Sequence, residues 1–137
     1  MILKILDDRL LYFNPGRGLD FMRLNRYFHF MDHHPGVTGG RINRFADFSG
    51  LARIDMDTAT LQAIAEIRGV TTATHKPAKV VHYSSQPLGL DIAKLFETFF
   101  RSAKIQLRAL DDLDSALKWL GATDLKGTIL ELAKELD

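Results

Sequence analysis

Runs rich in β-branched and aromatic residues alternate along this chain with stretches whose apolar residues recur every three or four positions. That alternation constrains the fold more than any other feature. "MILKIL" and "RLLYFN" flank Asp7-Asp8 and suit a tight hairpin. "RINRFADF", "KVVHYS" and "KIQLRAL" read as three further strands. Helical periods separate them. From about Leu19 to Asp32, the residues Phe21, Leu24, Phe28 and Met31 share one face. From Thr58 to Arg68, Leu61, Ile64 and Ala65 point inward and Gly69 is the expected stop. From about Leu88 to Ser102, a stripe of Leu88, Ile92, Leu95, Phe96 and Phe99 runs along one side. "DDLDSALKWLG" is a helix capped by Asp112, with Asp114 in its first turn and Gly121 at its end. A final helix, from about Leu125 to Leu136, aligns Leu125, Ile129, Leu132 and Leu136. The resulting order, ββαβαβαβαα, implies right-handed crossovers and an α/β domain with a mixed sheet of about five strands and helices packed around it.

Composition removes several classes of function. The chain of 137 residues suits one domain, and its 46% hydrophobic and 26% charged residues suit a packed core. A net charge of +1 gives no basic excess for nucleic acid. With no cysteine there is no disulfide, zinc–thiolate site or cysteine nucleophile. No apolar run approaches the roughly 18 residues of a membrane span. "MILKILDDRL" meets charge too early for a secretory signal, so a cytoplasmic location is expected.

Three places carry candidate chemistry. In "DFSGLARIDMDT", Asp55, Met56, Asp57 and Thr58 lie where a loop becomes a helix. The plainer role for Asp57 is to cap that helix; the sharper one is to imitate a phosphorylated side chain. Ser84, Ser85 and Gln86 precede the next helix, where free N–H groups favour an anion and where Ser before Pro equally suits a cap. That edge, at the carboxyl ends of "RINRFADF" and "KVVHYS", is also where open α/β sheets bind ligands. His29 and His33 have the i, i+4 spacing of metal ligands, with Asp32 beside them, although no second cluster completes a site. No cofactor fingerprint, nucleophile elbow or catalytic carboxylate pair stands out. The opposite side of the first helix, with Met22, Arg23, Arg26, His29, Phe30 and His33, suits a protein partner, a homodimer, or cover by the C-terminal helix.

The order of elements and three segments, "DFSGLARID", "VVHYSSQPLGLDIAKLFETFF" and "IQLRALDDLDSALKWLG", resemble the STAS-like family, the anti-sigma-factor-antagonist fold. The likeness is strongest over residues 40–121, with 122–137 as an added helix. It implies a non-catalytic regulatory or protein-binding module acting through Asp55–Thr58. Met56 then occupies the position of the family's phosphoacceptor serine, so the acceptor hydroxyl is missing and Thr58 is the nearest one. The fold is also similar to that of lipid-carrying CRAL-TRIO domains. This makes a carrier or sensor of a lipid or other small hydrophobic ligand the alternative, with nine phenylalanines able to line a pocket. A small enzyme is the third reading. A partner module should enclose little volume, and a carrier an apolar cavity of roughly several hundred cubic ångströms.

Overall fold

The computed structural model describes residues 1–102 and 104–136. Ile2–Leu6 (β1) and Leu10–Asn14 (β2) form the antiparallel hairpin. Asp7 and Asp8 turn it at φ 50° and 54°, a region that aspartate tolerates better than most side chains. The chain continues through Gly18–Leu19 (β3), Phe21–Asp32 (α1), Pro35–Thr38 (α2), Asn43–Asp47 (β4), Arg53–Ile54 (β5) and Thr58–Thr72 (α3). Ala78–Tyr83 (β6), Pro87–Phe99 (α4), Ile105–Leu110 (β7) and Leu113–Leu120 (α5) follow, and a single 3-10 turn leads into Lys126–Lys134 (α6). Aspartates start three of these helices. The side chains of Asp20, Asp57 and Asp112 accept from the backbone N–H of Arg23, Thr60 and Ser115 at 2.8, 2.7 and 2.9 Å. Each such cap contributes roughly 1 kcal/mol.

The main sheet has the order β1-β2-β4-β6-β7, so its spatial order is also its chain order. β1 is antiparallel to β2; β2, β4, β6 and β7 are parallel. Each parallel crossover therefore steps the same way. Right-handed connections then place α1, α3 and α4 on one face. Leu24, Tyr27, Met31, Leu61, Ile64, Ile92 and Phe96 of those helices pack there against Leu11, Phe13 and Ala46 of the sheet. Leu117, Leu120, Ile129 and Leu132 of α5 and α6 cover Leu10, Tyr12, Phe45 and Val81 on the other. The mixed α/β sheet of five strands agrees with the sequence pattern.

Several details differ from it. The C-terminal helix does not cover α1: its stripe closes the opposite face of the sheet. Gly69 does not stop α3, which runs on to Thr72 because a glycine lowers helix stability without removing a hydrogen bond. The helix expected from Leu19 begins at Phe21, and Leu19 instead pairs with Ile54 in the small parallel sheet β3–β5. Phe21 is exposed and Tyr27 takes the inward place. Trp119 is half-buried, with Arg108 and Lys79 over its ring at 4.7 and 5.3 Å. No helix among the described residues is long and apolar enough to cross a membrane.

Candidate ligand-binding site

Strand parity places an arginine where an apolar residue is usual. In β4, Arg44 and Ala46 face α1, α3 and α4, while Phe45 and Asp47 face α5 and α6. Arg44 is only 3% exposed. Beside it on β6, Val80 and His82 point the same way. Above them lies a narrow cleft between the sheet and the helices, with a cavity volume of about 60 Å³. α1 contributes Leu24, Tyr27, Phe28 and Met31; α3 contributes Ala65, Arg68, Gly69 and Thr72. Phe48, Phe96, Phe100, Ile105 and Leu107 complete an apolar wall, with Arg101 and Ser102 also lining the cleft.

Four buried polar atoms in this wall lack protein partners. Arg44 Nε and Nη2, the Tyr27 hydroxyl and His82 Nδ1 are buried without a hydrogen bond from the protein. Burial lowers the Arg44 pKa, opposed by Tyr27 and Asp32 and assisted by Arg68. Arginine nevertheless keeps its charge at neutral pH. His82 is packed between Phe48 and Phe96 at ring distances of 5.3 and 5.1 Å. Burial first, and then the Arg44 charge, push its pKa down to about 3, so it is neutral. Burial raises the Tyr27 hydroxyl to about 12, against the pull of Arg44 and Arg68. Arg68, over the Phe28 ring at 4.4 Å, has its charge matched by Asp32. The described residues provide no carboxylate in ion-pair contact with Arg44.

Sequence reasoning did not single out this group. Its signal was the file Ile42, Arg44, Ala46, Phe48, an arginine at an inward position of an otherwise apolar alternation.

The residues that the sequence did single out lie elsewhere. Asp57 caps α3, Asp55 pairs with Arg53 at 3.0 Å, Met56 packs partly into the core and Thr58 is exposed. Ser84 is buried; its hydroxyl accepts from the Gln86 N–H at 3.0 Å and donates to the Gln86 carbonyl at 2.8 Å. The Ser85 N–H donates to Ser49 Oγ at 2.9 Å. The strand order does not reverse between β4 and β6, so this edge lacks the topology that opens a crevice in doubly wound sheets. Gly89 of α4 sits tight against the Phe48 carbonyl and Ser84 there. His29 and His33 stack on each other, but Asp32 turns to Arg68 and to His75 Nε2 at 3.4 Å. No group of three potential metal ligands forms among the described residues.

A second polar cluster closes the carboxyl end of the sheet on its other face. Asn14 Nδ2 donates to the Tyr12 hydroxyl at 3.0 Å, which donates to Asp47 Oδ2 at 3.1 Å. The Ser49 N–H donates to Asp47 Oδ1 at 3.0 Å. Burial raises the Asp47 pKa while the bonds from Ser49 and Tyr12 hold it back. With both oxygens engaged, this carboxylate braces the strand ends.

No protein-family model, curated protein or solved structure matches the chain.

Proposed function

We propose that this chain is a non-catalytic, STAS-like α/β module that carries or senses a small hydrophobic ligand, held between the sheet and α1, α3 and α4. One observation carries the reading: an apolar cleft whose floor holds buried polar groups without protein partners. Buried polar groups without partners are costly unless a ligand bonds them, and at about 60 Å³ the cleft takes in only one end of such a ligand. The ligand reading, second in the sequence analysis, therefore moves ahead of protein docking. Four of the nine phenylalanines, Phe28, Phe48, Phe96 and Phe100, line the cleft. The STAS-like assignment itself draws its support from the three sequence segments that resemble the family and from a mixed five-stranded α/β sheet compatible with it.

The test is titration of the native protein with Nile red, an uncharged dye whose emission shifts in apolar surroundings. Saturable binding at one site is expected, lost in Gly69→Trp with Tm retained. A side chain at Gly69 meets nothing within 4 Å and enters the mouth of the cleft. Absence of saturable binding, or binding indifferent to Gly69→Trp, overturns the reading.

Docking of a protein partner at Asp55–Thr58 is a second reading. It is supported by Phe21 and Met22, 54% and 71% exposed, just after the β3 strand that pairs with β5. Replacing both with serine should then abolish partner capture and leave dye binding intact.

A further inference from the structure

Resting on the ligand reading above, we infer that the ligand is an apolar monocarboxylate whose head group is received by Arg44. The two guanidinium nitrogens without partners, Nε and Nη2, are neighbours on one edge of the plane and present parallel N–H bonds. That edge matches the two oxygens of a carboxylate. A lysine or histidine in the same place would shed its proton; an arginine cannot, so the wall keeps a cation that no carboxylate among the described residues meets in ion-pair contact.

The charges around it specify how much anion is required. Arg68 is already neutralised by two bonds to Asp32, at 2.6 and 3.0 Å. His82 is held neutral by burial, and burial lowers the His75 pKa in the same sense. The buried wall then keeps one positive charge, that of Arg44, which one carboxylate balances, while Arg101 adds a solvent-exposed charge at the mouth. The Tyr27 hydroxyl and His82 Nδ1 are the further buried polar groups without partners among the described residues lining the cleft. Arg44 lies on the sheet floor and Gly69 and Arg101 are exposed, so the head group enters first. With about 60 Å³ inside, the cleft takes the head group, and the chain behind it runs out through the mouth.

Isothermal titration of the full chain with hexanoate, octanoate and decanoate, and with the primary alcohols of the same lengths, tests this. The acids should bind about tenfold or more tighter than the alcohols, the difference expected for hydrogen bonds to a charged group. Arg44→Met should remove that preference without lowering Tm, since it deletes an unpaired buried charge. Arg44→Gln, which stays polar and loses the fork, should remove it as well. Equal affinity for acids and alcohols, or an acid preference that survives both substitutions, would overturn the carboxylate assignment while leaving the cavity reading intact. Failure of every acid and alcohol, together with Nile red, would overturn both.

Discussion

Arg68 of α3 lays two guanidinium nitrogens on the two carboxylate oxygens of Asp32, at the end of α1, and so ties together two helices that wall the cleft. The side chains are 8% and 24% exposed, and His75 approaches the same carboxylate. Asp32→Asn leaves Arg68 charged and half-matched in a largely buried place. The expected loss is about 3 kcal/mol, at the low end for breaking a buried pair because Asp32 keeps some solvent contact. Urea unfolding measures it directly. A change within experimental error would mean that the pair does not hold the helices.

The pH dependence of stability should carry two opposing contributions. The His82 pKa falls from 6.5 unfolded to about 3 folded, so its contribution is complete above 6.5 and is lost as pH drops toward 3. Burial lowers the His75 pKa too, in the same sense. The Asp47 pKa is raised above 3.8, so its contribution is complete below that value and is lost as pH rises through the folded pKa. His82→Phe should therefore flatten the loss of stability between neutral and mildly acid pH. Asp47→Asn should gain stability relative to the parent as pH rises, and the gain should vanish in strong acid. Urea midpoints across this range decide both signs.

Two helical glycines should respond oppositely to alanine. At Gly69 an added Cβ meets nothing within 4 Å, and φ is not positive, so Gly69→Ala should stabilise by about 0.5–1 kcal/mol through helix propensity. At Gly89 the same Cβ collides with the Phe48 carbonyl and Ser84, joining α4 to the ends of β4 and β6. Gly89→Ala should destabilise by about 1–3 kcal/mol. Thermal unfolding of the two variants side by side is sufficient.

The β-rich runs and the Leu88–Ser102 stripe were legible because period and side-chain type agree there, and the capping aspartates Asp57 and Asp112 fixed two helix starts. The side-sheet pair Gly18–Leu19 with Arg53–Ile54 left no trace, since two residues are too few to show alternation. Which sheet face the Ile129–Leu132 stripe covers was not readable either. An apolar stripe specifies that it is buried and not against what; here the one-way sheet filled the first face with α1, α3 and α4, leaving the second for α6. Arg44 was passed over for a related reason. Its strand was recognised, but only the parity of Ile42, Ala46 and Phe48 tells that its guanidinium points into the core. His82 stood alone in the sequence and meets Arg44 only through the parallel pairing of β4 with β6. Asp55 to Thr58 drew notice because turns and charges are conspicuous in a sequence, while a cleft is assembled from distant residues.

The most direct measurement uses the four methionines. Met31 is buried and lines the cleft; Met1 and Met22 are exposed. In protein carrying labelled methionine methyl groups, titration with decanoate should shift the Met31 resonance saturably and leave Met1 and Met22 in place. Movement at Met1 or Met22 with Met31 unchanged, or no change at any methyl, would contradict a ligand site between the sheet and α1, α3 and α4.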